Sequence, residues 1–220
     1  SNGPLAVNQS LYRTMSYDAR RDLAAISLLA DVSNILVVAP NAPHRSVADI
    51  VARAKARPGT LSYGSTGVGT AAHLAGALLD QMAGIETLHV PYRGAVAIND
   101  LLSGRLDFMF ATAPSVVEQI RSNQLRAIAV SSRRRSRNFP ELPTMIELGF
   151  AGFDASSWFG MAAPARTPPE IVQKIATDAI AVVRRPEISR QLVEAGAEPI
   201  ASTPAEFTAF IASETTRWVE

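Results

Sequence analysis

The chain has 220 residues, 47% of them apolar and 19% charged, and a formal net charge of +1. That is enough for one large or two small domains with a real core, and the near-neutral, mixed charge removes the electrostatic argument for a nucleic-acid protein. The lack of cysteine excludes a disulfide framework, a thiol nucleophile and a thiolate metal site, and no apolar run approaches the roughly 20 residues of a membrane span.

In chain order, Pro4 to Asp22 reads as a loop with one short helical turn. Ile26 to Leu29 and Asn34 to Ala39 are strand candidates, the second a continuous apolar run of the kind buried on both faces. Pro40 and Pro43 end it. Ser46 has N-cap character for a helix that runs to about Arg57, where Pro58-Gly59 stops it. Between Leu61 and Ser131 the pattern alternates β-α-β-α-β-α-β. The strands are Leu61–Tyr63, Thr87–Val90, Leu106–Ala111 and Leu125–Ser131; the helices are Ala71–Ala83, Val96–Ser103 and Pro114–Ser122. Gly84 is the predicted C′ residue of the first helix. Such alternation implies a mainly parallel sheet with helices on both faces, and ligands in such sheets sit at the carboxyl ends of strands. Four arginines within 133–137 lie among Asn138, Pro140 and Pro143 without interleaved aromatics and read as a solvated loop. Beyond them the pattern predicts a short helix from Pro143 to Leu148 and a strand from Ser157 to Ala163. Helices follow over Pro169–Val183 and Pro186–Ala195. The last helix begins at a capping box of Thr203 and Glu206.

Leu61 to Leu79 carries the chemistry. A short strand meets a loop of small residues, Gly64 to Thr70, which opens into a helix at Ala71. Unpaired amides and the positive end of the helix dipole face whatever occupies the loop, and Ser65, Thr66 and Thr70 add hydroxyls. Without a lysine after Gly69 this is no P-loop. Gly67-Val-Gly69-Thr-Ala-Ala72 fits a loose dinucleotide pattern, but the candidate ribose acid, Glu86, precedes the next strand instead of ending it. A small-residue turn that merely packs a helix closely on a sheet is the other reading.

A hydrolase would need more than the approach of His73 to Ser65: no G-x-S-x-G elbow surrounds Ser65 and no acid partner is indicated, so no catalytic residue is assigned. No two histidines share a metal-ligand spacing, so neither a metal nor a cofactor is expected. Arg93, in the turn Pro91-Tyr92-Arg93-Gly94 after a strand, could answer a carboxylate with a bidentate pair or simply sit on a surface turn. Trp158-Phe159 could wall a pocket or be core.

Leu61-Ser-Tyr-Gly-Ser-Thr-Gly-Val-Gly-Thr-Ala-Ala-His-Leu74, His89-Val-Pro-Tyr-Arg-Gly94, Asp100-Leu-Leu-Ser-Gly104, Ser156-Ser-Trp-Phe-Gly160, Ala163-Pro-Ala165 and Thr167-Pro168 together resemble one family. It is that of the substrate-binding proteins of tripartite tricarboxylate transporters, the Bug-type receptors. The resemblance implies a two-lobed α/β fold of the type II periplasmic-binding-protein kind, each lobe a mostly parallel sheet flanked by helices, closing on a small carboxylate. By that resemblance residues 1–39 and 132–220 form the first lobe and residues 40–131 the second. The first lobe is expected to be incomplete, because family members begin with a strand and a proline- and glycine-rich loop that has no counterpart here. The implied ligand residues are Ser65, Thr66, Gly67, Gly69 and Thr70, with His73 behind them, Arg93 and Gly94 on the rim, and Trp158 and Phe159 from the other lobe. The implied role is a monomeric periplasmic receptor serving the membrane subunits of a transporter. A carboxylate-sensing domain with a signalling partner and a nucleotide-dependent enzyme are the alternatives. The stretch from Arg93 to Asp100 is one residue shorter than the family pattern and lacks its usual proline. Arg166 stands where that pattern has glycine.

Overall fold

The computed structural model describes residues 1–93 and 96–218. A π-helical turn (Gly3–Val7) runs into α1 (Asn8–Leu11), and α2 (Ala19–Asp22) leads directly into β1 (Leu23–Val32) and then β2 (Asn34–Val38). There follow α3 (Val47–Ala56), β3 (Ser62–Ser65), α4 (Ala71–Ala83), β4 (Leu88–Pro91), α5 (Val96–Leu102), β5 (Phe108–Thr112), α6 (Ala113–Arg121) and β6 (Arg126–Val130). The remainder is β7 (Ser157–Pro164), α7 (Pro169–Val183), α8 (Pro186–Glu194), β8 (Ala197–Pro199) and α9 (Pro204–Arg217).

Two compact units result, Ser1–Val32 with Ser157–Glu220, and Ser33–Ser156. They divide after residues 32 and 156, whereas the resemblance implied boundaries after 39 and 131. β2 and the segment 132–156 therefore belong with the loop after β3. The reason is pairing: β2 bonds to β5 on one side and β6 on the other, and Thr144 bridges to Val130.

The five-stranded sheet of this unit has the order β4-β3-β5-β2-β6. β3 is parallel to β4 and β5, and β2 is antiparallel to β5 and β6. The four strands of the alternating stretch thus run one way, as helical crossovers require, and β2 alone runs against them. All five residues of β2 are buried. Ile35 and Val37 point into a core with Ile98, Leu101, Met109, Val116 and Val130, beneath α5 and α6.

The other unit departs from the expected mostly parallel sheet. Its three strands, in the order β7-β1-β8, are antiparallel throughout, because the strand-helix-strand crossovers that generate parallel neighbours are confined to residues 62–130. Its core gathers Leu5, Leu28, Trp158, Phe207 and Ile211. Helix ends were the most readable features. Ser46 accepts from the Asp49 amide, Gly84 takes the left-handed conformation (φ 60°) after α4, and Thr203 and Glu206 form the capping box. One expected helix fails, and one strand was not expected. Pro143–Leu148 is a turn, not a helix, held by Glu147 accepting the Thr144 amide, and β8 carries no pattern beyond three residues.

Candidate functional site

The loop after β3 is held by its own hydroxyls. Ser65, fully buried, accepts the Gly67 amide at 3.1 Å. Thr70 Oγ1 donates to the Gly67 carbonyl at 2.7 Å and accepts the His73 amide at 3.4 Å, capping α4. Gly67 and Gly69 have φ of 135° and 77°, a region that residues with a Cβ rarely enter. The Gly69 amide donates to His73 Nδ1 at 3.2 Å. Thr66 and Val68 are left exposed at the loop's tip.

With the His73 amide capped, the amides of Ala71 and Ala72 remain as the first two of α4, for which no preceding turn offers a carbonyl. They lie at the positive end of the helix dipole, the ordinary setting for a small anion. The close-packing alternative also holds, one turn along. A Cβ on Gly76 would lie 2.1 Å from the Tyr63 ring, so only glycine lets α4 sit this near β3.

Behind the loop lies a stack that the sequence did not announce. Parallel pairing sets Tyr63 opposite His89, and their rings stack at 4.9 Å, with Phe108 beyond Tyr63 at 5.6 Å. His89 Nε2 is 2.7 Å from Ser65 Oγ, and the His73 and His89 rings lie 4.2 Å apart. The partner of Ser65 is therefore His89, not His73. The serine is inaccessible, and among the described residues no carboxylate is hydrogen-bonded to either imidazole. Burial lowers the His73 pKa below its ordinary value; burial first, and then the neighbouring His73, brings His89 down to about 4. Both rings are neutral at pH 7. Because a backbone amide can only donate, His73 Nδ1 must carry a lone pair and its proton must reside on Nε2.

The Tyr92 amide donates to the Ser65 carbonyl at 2.9 Å, extending the β3–β4 pairing and bringing Arg93 beside the loop. Arg93 is exposed and makes no ion pair among the described residues. Tyr92 is anchored in turn by donating its hydroxyl to Asp100, which also accepts from Arg105. Gly94 lies outside the described residues. The structure thus brings together Ser65, Thr66, Gly67, Gly69, Thr70, His73 and Arg93 at the carboxyl ends of β3 and β4. Trp158 and Phe159 belong to the other unit. Trp158 is 2% exposed, packed edge-on against Phe207 and Phe210, with its indole N–H donated to Glu214. Its neighbour Phe159 is 47% exposed.

Glu86 sits before β4, and its carbonyl accepts the Gly59 amide, away from the carboxyl end where a ribose-binding acid belongs. Among the described residues no three metal-ligating side chains converge. None of the described helices is long and apolar enough to cross a membrane. Of the arginine cluster, Arg133 pairs with Asp154 and Arg135 with Glu147, which suits a solvated loop.

Comparison with known proteins follows the same outline. The model described as "Tripartite tricarboxylate transporter family receptor" matches residues 2–220. The Bordetella pertussis protein BugT is 36% identical over 219 residues, which is 99% of this chain and 67% of BugT. A protein from the tcbD-tcbE intergenic region of Pseudomonas sp. strain P51 is 34% identical, over 97% of this chain and 64% of that protein. The chain therefore spans about two thirds of the length of these relatives. The structure of R. palustris Rpa4515 with adipate superimposes with a TM-score of 0.92 at 34% identity, over 98% of this chain and 73% of that one.

Proposed function

Since this chain belongs to the receptor family of tripartite tricarboxylate transporters, we propose that it binds a small organic carboxylate outside the cytoplasm, in the periplasm, and presents it to a transporter's membrane subunits. The observation that carries this reading is the loop 65–70 with the Ala71 and Ala72 amides at the α4 N-terminus. One carboxylate oxygen takes these amides, and the hydroxyls that hold the loop are already satisfied, so the grip is made by backbone. Arg93 supplies charge from the adjacent turn. Adipate, the acid in the Rpa4515 structure, points to an aliphatic dicarboxylate as the first ligand class to try. Trp158, with its N–H committed to Glu214, supports its own unit from within.

The test is a thermal-shift screen of the purified protein against dicarboxylates, tricarboxylates, amino acids and aromatic acids. A ligand at a hundred times its Kd stabilises by about 2.7 kcal/mol, an upward shift of several degrees. Silence across all four classes would overturn the reading. For the winning acid, Arg93→Ala is expected to weaken affinity by roughly tenfold, as loss of a charge-assisted hydrogen bond does.

A further inference from the structure

We propose that His73 and His89 are positioning residues that form a proton-sensitive latch on the ligand loop, His73 holding the Gly69 amide and His89 holding Ser65. The inference rests on the carboxylate-site reading only for its consequence, since the latch itself is a property of the unliganded chain.

The argument starts from donors and acceptors. Gly69, at φ 77°, donates its amide to His73 Nδ1 at 3.2 Å. This bond exists only while that nitrogen is unprotonated. A proton there would set two N–H groups face to face and replace an attraction by a repulsion. The loop then loses the tie that fixes Gly69, while the Thr70 cap and the Ser65 bonds remain. His89 responds differently. Its Nε2 faces Ser65 Oγ at 2.7 Å, and a hydroxyl oxygen can accept from an imidazole in either charge state. The proton-sensitive bond is therefore the one made by His73.

The surroundings decide which ring titrates first. His73, on α4, faces His89 on β4 at 4.2 Å, and its carbonyl lies 3.4 Å from the Tyr63 hydroxyl of β3. Tyr63 stacks on His89 and, on its far side, on the uncharged Phe108 of β5. Asp80, further along α4, acts on Tyr63 and is engaged with Thr87, and Glu86 acts on Asp80. None of these carboxylates is hydrogen-bonded to an imidazole, so a proton on either ring is uncompensated. Two cations at this ring separation exclude each other, and the pair takes one proton before two. Burial sets both pKa values below the ordinary histidine value, with His89 the lower at about 4. His73 therefore takes the first proton, at a pH below 6.5, and that proton releases the loop's tie at Gly69.

Two measurements on the intact chain test this. In a pH titration from 8 to 5 followed by NMR, the Gly69 amide is expected to shift and to lose hydrogen-exchange protection at the same midpoint as the His73 imidazole. In His73→Asn, whose Oδ1 occupies the place of Nδ1 but does not titrate, that inflection is expected to disappear. The second measurement is adipate affinity, or that of whichever acid the screen selects, for wild type and His73→Asn across the same range. Because the ligand's own protonation is common to both proteins, their affinity ratio isolates His73, and it is expected to fall at least threefold between pH 7 and pH 5. A Gly69 amide indifferent to His73 titration overturns the latch, as does a ratio that is flat or rises in acid. Failure of every acid to bind would leave the NMR result standing and count only against the carboxylate reading.

Discussion

Ser65 shows how a hydroxyl that the sequence singles out can be engaged within its own loop. Its hydroxyl accepts the Gly67 amide and touches His89, so it shapes the loop. Ser65→Ala removes a buried acceptor from an amide and an imidazole, and is expected to cost about 1–3 kcal/mol, read as a lower denaturant midpoint with an unchanged slope. Gly76→Ala should be worse than its helix propensity suggests. A methyl 2.1 Å from the Tyr63 ring forces α4 off the sheet, at about 1–3 kcal/mol, whereas Ala is ordinarily favoured over Gly within helices. The sequence could show that Gly76 is a glycine, not that an aromatic ring thirteen residues earlier rests on it. His89 was hidden for a similar reason. Its meeting with Ser65 depends on the register of β3 against β4, and register is set by pairing rather than by any local motif.

At the scale of the element, α4 was legible almost to the residue. Thr70 and Gly84 are local signals, each satisfied by bonds within four or five residues. Thr70 is expected to do double duty, capping the helix and fixing the Gly67 carbonyl. Thr70→Ala should cost about 1 kcal/mol of stability and reduce carboxylate affinity, whereas Thr203→Ala at α9 should cost a similar amount of stability and leave affinity unchanged. Comparing melting curves with binding isotherms for the two variants separates the cap from the site. Elements without local signals were the ones missed or misread. β8 is three residues long and exists because Ala197, Glu198 and Pro199 lie along β1. The turn at 143–148 looked helical by composition, yet the Thr144 amide went to the Glu147 carboxylate and the segment was claimed by a bridge to Val130.

For the molecule as a whole, the two half-buried imidazoles tie stability to pH. His89 is near pKa 4 in the folded chain and about 6.5 when unfolded, so the unfolded state binds more protons between these values. Its contribution is complete above pH 6.5 and is lost as pH falls toward 4. The ring is only half buried, and solvent screening reduces the effect to the order of 1 kcal/mol, or about 2–4 °C in Tm. His89→Gln should flatten that part of the melting profile; a profile unchanged by the substitution would show the acid sensitivity to lie elsewhere. At this scale the sequence conveyed the alternation of β3 to β6 and therefore their common direction, because crossover chirality and helix spacing are written locally. The division into units and the antiparallel sheet of the first unit were not so written, since both depend on which distant strand β1 and β2 choose as neighbours.

The reversed strand β2 also sets a timetable. Every one of its five residues is buried in the finished unit, yet both of its neighbours, β5 and β6, come much later in the chain. A ribosome that has released Ile35–Val38 must add everything through Val130 before this apolar segment has two edges to pair with. Until then it is a sticky, unsheltered β-former, and the long loop it must close makes its insertion slow. Refolding of the five-stranded unit should therefore be limited by capture of this one strand. A substitution such as Leu36→Ala is expected to slow refolding more than it raises the unfolding rate, a prediction that a chevron plot checks directly.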